Sequence, residues 1–111
     1  MKVKQPLGPL ERKVLQVLWE KKKASVAEVQ LQLNLQKEKP LAYTTVMTIL
    51  TRLVNKEVLI RAKEGRSYYY SPKETQEQFL RNAARKTLAG YVDRFGKESL
   101  QAFIDEAKNL S

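Results

Sequence analysis

Cysteine and histidine are both absent from this sequence. Without cysteine there is no disulfide framework, no thiol chemistry and no thiolate metal site. Without histidine the commonest general base and the commonest metal ligand are also missing. Carboxylates alone could support hydrolysis, but the 12 acidic residues are interleaved with Lys and Arg in the manner of solvated helix faces, so an enzyme is not expected. No metal and no cofactor are expected either. Long apolar runs are lacking as well. No stretch approaches the roughly 18 apolar residues of a membrane-spanning helix, and the opening MKVKQPLGPL carries no apolar secretory core. A cytoplasmic protein with no membrane partner is the expectation.

Acidic charge is scarce relative to basic charge: 21 Lys and Arg face 12 Asp and Glu, for a net charge of +9 over 111 residues. The excess is unevenly spread. Net charge is +5 over residues 1–40, +3 over 41–72 and +1 over 73–111. Such asymmetry points to a polyanion partner for the first two segments and a different task for the last. A chain of this length forms one domain, or a small domain with an oligomerisation appendage, and buries only a modest core by itself.

The segment LAYTTVMTILTRLVNKEVLIRAKEGRSYYYSP, Leu41 to Pro72, carries the most information. Val46, Ile49, Leu50, Leu53 and Val54 recur at the helical period and form one apolar stripe. At 100° per residue the opposite side shows Thr44, Thr48, Thr51 and Asn55, flanked by Thr45 and Arg52 on one side and Met47 on the other. Threonine is a poor helix former, so a Thr-rich outer face asks for a reason beyond stability. Short hydroxyls and methyls can approach base edges and phosphates closely. A merely solvated face is the plainer alternative.

After Lys56 the period drops towards two, with VLIRAK and SYYYS flanking the turn EGR, which describes a two-stranded hairpin. Gly65 suits the left-handed position of the turn. Arg61, Lys63 and Arg66 place cations near its tip, where a wing would follow a phosphate backbone. Tyr68 and Tyr70 share one face and are expected to pack the hairpin on the helices, leaving Tyr69 as the candidate for an outer contact.

Upstream, Leu10, Val14, Val17 and Leu18 form a first helical stripe, widened by Leu7, Leu15 and Trp19, all assigned to the core. Lys21, Lys22 and Lys23 follow. Phosphate contact and complementation of a helix C-terminus explain this triplet equally well. Ser25-Val26-Ala27-Glu28 is a capping box that opens a second helix with Val26, Val29 and Leu33 inward, broken by the stretch from Gln36 to Pro40. Helix, capped helix, turn, Thr-faced helix and basic hairpin, in that order, make a winged helix-turn-helix.

Beyond it, Ser71-Pro72-Lys73-Glu74 reads as a helix start, with Ser as cap, Pro in the first turn and Glu closing a capping box. Leu80, Ala84, Leu88, Tyr91, Val92 and Phe95 then make a long stripe, and after Gly96 a last helix aligns Leu100, Phe103, Ile104 and Ala107. These faces most economically bury against a second copy of the chain, although folding back on their own domain would also cover them. The expected class is therefore mostly α with a small β-hairpin: a winged helix over residues 1–72 and a helical dimerisation region over 73–111.

Several separated motifs, in order, also resemble the penicillinase-repressor family of BlaI and MecI, to which copper-responsive repressors of the CopY type belong. They are Leu7-Gly8 with Glu11, Val14 and Leu18-Trp19; Leu41 through Thr48; Arg52-Leu53; and Gly65-Arg66 with Tyr68, Tyr70, Ser71 and Pro72. The likeness spans residues 7 to about 72 and is looser from residue 73 on. It implies a dimeric transcriptional repressor on a palindromic double-stranded DNA operator, with the helix from Tyr43 to Lys56 in the major groove. Carried over by position, Thr44, Thr45 and Met47 match the base-reading positions, Arg52 the backbone contact and Arg66 the wing. Together with Tyr43, Thr48, Lys63 and Tyr69 they form the expected DNA-binding set.

Departures from the family pattern are equally specific. Met47 replaces a base-reading Arg of some relatives and offers only apolar contact. Ala42 sits at the N-cap without an oxygen for the first helical amides, which leaves those amides for a phosphate, and Glu57 stands where a Gly commonly ends the helix. Relatives commonly continue with one more acidic helix beyond Leu110-Ser111, so a weaker dimer is expected. Where β-lactam-responsive members are cut by a sensor-triggered protease at Asn-Phe, this chain has Phe103-Ile104, and with no Cys the copper-responsive mode is excluded. These departures leave the identity of any upstream sensor or protease open. A winged-helix module making protein or RNA contacts through the same face is the alternative reading.

Overall fold

In a computed structural model, residues 7–35 and 39–110 are described. The chain forms two compact units, the first ending at Thr75 and the second beginning at Gln76. The first contains α1 (Pro9–Lys21), α2 (Val26–Asn34), α3 (Tyr43–Asn55), β1 (Leu59–Glu64) and β2 (Ser67–Pro72). The second contains α4 (Gln76–Phe95), a short 3-10 turn (Lys97–Ser99) and α5 (Leu100–Lys108).

Local chemistry sets the helix boundaries. Pro9 occupies the first turn of α1, where its missing N–H goes unnoticed, and the Glu11 carboxylate turns back to accept the Gly8 amide at 2.9 Å. At α2 the expected capping box is present, with Glu28 N–H donating to Ser25 Oγ at 3.2 Å and Ser25 N–H donating to Glu28 Oε1 at 2.8 Å. The turn between α2 and α3 is clamped by Asn34. Its Oδ1 accepts the Leu41 amide at 2.8 Å and its Nδ2 donates to the Leu41 carbonyl at 3.1 Å, a carbonyl that Gln30 also reaches at 3.1 Å. Residues 36–38 of the expected helix break lie outside the described residues.

The stripes read from the sequence converge on one core. Val14, Leu15 and Leu18 of α1, Val26 and Val29 of α2, and Val46, Ile49, Leu50 and Leu53 of α3 are buried, together with Ala24, Val58, Leu59 and Tyr70. Each large side chain withdrawn from water here contributes roughly 1.5–3 kcal/mol, which is what holds three short helices in place. Trp19 is only half-buried, and its indole N–H donates to the Glu74 carbonyl at 3.2 Å. The hairpin pairs Leu59 with Pro72, Arg61 with Tyr70 and Lys63 with Tyr68. It is joined to the helices by a bridge in which Ala24 and Tyr70 exchange both backbone bonds, at 3.0 and 2.8 Å.

Two expectations are corrected. Ser71 and Pro72 do not open a helix; they end β2, paired with Ile60 and Leu59, and the Lys73 amide extends the connection by donating to the Val58 carbonyl at 3.0 Å. Strand pairing outcompetes the local capping signal, and α4 starts only at Gln76. Tyr68 does not pack on the helices either. It shares a face with Tyr70, which is 3% exposed, yet is itself 46% exposed because the hairpin overhangs the core towards its tip.

Glu57 resolves the helix end that lacks a glycine. It takes φ = 64°, a left-handed conformation that costs a side-chain-bearing residue about 1–2 kcal/mol. Its ion pair with Lys73 spans 3.9 Å between half-exposed side chains and offsets little of that. Glu57→Gly is therefore expected to raise stability by roughly 0.5–1 kcal/mol, a gain of about 4 °C in Tm by thermal unfolding. An unchanged or lower Tm would mean that the glutamate side chain compensates its own strain.

Candidate nucleic-acid interface

The outer side of α3 is open to solvent along its length. Tyr43, Thr44, Thr45, Met47, Thr48, Thr51, Arg52 and Asn55 are all exposed, while the buried stripe lies on the opposite side. Helical periodicity alone produces this division. Tyr43 and Met47 remain 48% and 42% exposed, so the face offers two apolar contacts beside the hydroxyls. Thr48 differs from its neighbours, because its hydroxyl donates to the Thr44 carbonyl at 2.9 Å and leaves its methyl and an acceptor lone pair to the outside. Ala42 caps the helix without a side-chain hydrogen bond.

The hairpin continues this surface directly, since the Val58 amide donates to the Leu53 carbonyl at 3.0 Å and Leu59 enters the same core. Lys63 and Arg66 are exposed near the tip, and Gly65 provides the positive φ of 64° that the turn needs. The exposed ring of Tyr68 carries two cations: Arg61 Cζ lies 4.6 Å and Lys63 Nζ 6.0 Å from its centroid. This cluster was readable in principle. A turn centred on Gly65-Arg66 fixes Lys63 opposite Tyr68 and Arg61 opposite Tyr70. Tyr69, expected to point outward alone, is half-buried on the other face, with Lys23 Nζ 5.5 Å from its ring centroid.

Two ion pairs that the sequence reading missed frame the surface. Lys23 Nζ donates to both oxygens of Glu64 at 3.0 and 2.8 Å, and the Lys23 ammonium is held above its ordinary pKa chiefly by that hydrogen bond. At the far end of α3, Lys56 Nζ donates to both oxygens of Glu11 at 3.0 and 3.1 Å. Burial is the strongest single influence on Glu11 and works against its charge. The Gly8 amide, Lys56 and, through space, Arg52 together outweigh it and leave the carboxyl below its usual range. The partners stand 41 and 45 residues apart in sequence, and no local pattern relates them.

The second unit presents a different surface. No residue of α4 or α5 is buried. Leu80, Leu88, Phe95 and Ile104 are exposed, Phe95 by 57%, and Ala84 is exposed too. Tyr91, Val92, Leu100 and Phe103 are half-buried, with Tyr91 in edge contact with Phe103 at 4.8 Å and tilted on Phe95 at 5.0 Å. Leu88, Ala89, Val92 and Leu100 line a shallow apolar groove bordered by Asp93. Among the described residues, no group of acidic side chains could hold a metal ion and no helix is long and apolar enough to cross a membrane.

Similarity to known proteins runs through both units. Residues 7–111 match the family described as Penicillinase repressor. The chain is 30% identical over 93 residues to the transcriptional regulator BlaI of Mycobacterium tuberculosis, covering 84% of this chain and 67% of that one. It is 29% identical over 96 residues to a penicillinase repressor of Staphylococcus aureus, covering 86% and 72%. Among solved structures, the monomeric form of Bacillus licheniformis BlaI in complex with the blaP half-operator superposes with a TM-score of 0.55 at 29% identity, over 68% of this chain and 90% of that one. With its three-helix core, its hairpin wing and a match running from Leu7 to the last residue, the chain belongs to the penicillinase repressor family of winged-helix transcriptional regulators.

Proposed function

We propose that this protein is a cytoplasmic, sequence-specific repressor that binds double-stranded DNA as a homodimer on a palindromic operator. The observation that carries the reading is the solvent-open threonine face of α3 beside a cation-tipped hairpin, in a chain whose basic excess lies in that same unit. On this reading Thr44, Thr45 and Met47 meet base edges in the major groove, with Tyr43 and Thr48 beside them. Arg52, Lys63 and Arg66 meet phosphates. A relative of the same fold solved in complex with a half-operator supports the DNA-binding part of this reading.

Dimerisation through α4 and α5 supplies the symmetry. Their apolar faces stay half open in the single chain, and covering each large side chain would contribute roughly 1.5–3 kcal/mol. A two-fold dimer reads two inverted half-sites, so the operator mirrors the protein.

Selection of bound duplexes from a random pool tests the whole proposal. The expected winners share a two-fold symmetric consensus with half-sites about one helical turn apart, or a multiple of it. Absence of any enriched sequence would end the reading, and an asymmetric single site would end its dimeric part. Log affinity should also fall linearly with log salt, and Arg52→Ala or Arg66→Ala should each flatten that slope by about 0.9. Unchanged slopes in both variants would place the DNA on another surface.

A further inference from the structure

The Lys23–Glu64 pair has no obvious structural purpose. Both side chains are about half exposed, at 52% and 49%, and such pairs contribute little to stability because water and salt screen them. The fold already secures this junction without them, through the Ala24–Tyr70 backbone bridge. Yet the geometry is bidentate, and Lys23 is held a second time over the Tyr69 ring. Glu64 is also the only acidic residue between Leu59 and Pro72, next to the turn of a hairpin otherwise carrying Arg61, Lys63 and Arg66. A carboxylate at the tip of a phosphate-facing hairpin opposes binding unless it serves another end.

We propose that Glu64 is an affinity-limiting residue of the wing: it captures Lys23 and withholds that cation from the DNA backbone. The inference rests on the DNA-binding reading above. Each cation placed on phosphate strengthens binding to operator and to random duplex alike, so the number of such cations sets how tightly the protein holds any DNA. Sequestering one lysine lowers the sequence-independent part while leaving the base-reading face of α3 untouched. Glu64 thus lowers the absolute affinity for duplex, while the ratio of operator to random binding stays with the base contacts.

The test is a double-mutant cycle on the full chain, read as the salt dependence of binding to a random-sequence duplex between roughly 50 and 200 mM salt. Glu64→Gln should steepen the slope by about 0.9, one released lysine, and tighten binding at about 0.1 M salt by roughly five- to tenfold. Lys23→Gln should leave the slope at the parent value, because that lysine is already withheld. Glu64→Gln added to Lys23→Gln should then steepen nothing. An unchanged slope in Glu64→Gln overturns the inference, as does a slope that steepens equally with and without Lys23, which would reduce Glu64 to a generic charge. A flattened slope in Lys23→Gln alone overturns it too, since the lysine would already sit on phosphate. A parent protein with no salt-dependent duplex binding would instead overturn the DNA-binding reading, and this inference with it.

Discussion

Thr44→Ala and Thr45→Ala are each expected to weaken binding to the preferred duplex by roughly 1–3 kcal/mol, about 5- to 150-fold, and to change binding to random duplex far less. Both side chains lie exposed on the first turn of α3, at the end of the helix that carries unsatisfied amides and no side-chain cap. A residue that reads a base edge loses its contribution only where the right base is present. A phosphate contact loses it everywhere, so equal losses on both duplexes would demote these threonines to backbone contacts. Thr48→Val should lose less than either, because the Thr48 hydroxyl proton is already committed to the Thr44 carbonyl and the valine keeps the methyl. None of these exposed positions contributes to the core, and unfolding temperatures should stay close to the parent's.

Lys56→Met is expected to destabilise the winged-helix unit by about 2 kcal/mol at neutral pH. It leaves the Glu11 carboxylate, 12% exposed, without its ammonium partner. The effect should be pH-dependent in a defined direction. In the parent, the Glu11 pKa lies below its ordinary value, so the pair stabilises the fold fully above the carboxylate range and its contribution fades as pH falls through the depressed pKa. In Lys56→Met the burial that opposes the charge is no longer outweighed to the same degree. Protonating Glu11 then relieves the variant, and the gap between variant and parent narrows in acid. Adding Glu11→Gln should recover part of the loss at neutral pH. A deficit that stays constant down to acid, with no recovery in the double variant, would mean that Lys56 acts through its methylene packing instead. Denaturant titrations at several pH values separate the two.

The parts legible in the sequence share one property: they are periodic over short stretches. The α3 stripe of Val46, Ile49, Leu50 and Leu53, the capping box of α2 and the alternation around Gly65 each depend on residues within a turn or two of one another. The misreadings arose where a local signal met a stronger distant one. Ser71-Pro72 resembles a helix cap, but the backbone opposite them in β1 claims both residues for the sheet. Tyr68 and Tyr70 are equivalent by alternation, and only the place where the hairpin leaves the core separates an exposed ring from a buried one. Glu57 warned of an irregular helix end, and its positive φ is the form that irregularity takes.

Composition, charge distribution and residue period by themselves determined the class of this protein, the side of α3 that faces water and the kind of partner that side suits. Those properties follow from backbone geometry, which repeats identically wherever a helix or strand forms. Tertiary structure alone decided that Lys56 grips Glu11, that Lys23 grips Glu64 and that Asn34 clamps the turn before α3. The two ion pairs join residues 45 and 41 positions apart, and the Asn34 clamp spans the turn between α2 and α3. Their meeting depends on how helices and hairpin pack around a common core, a packing that no single stretch of the sequence encodes.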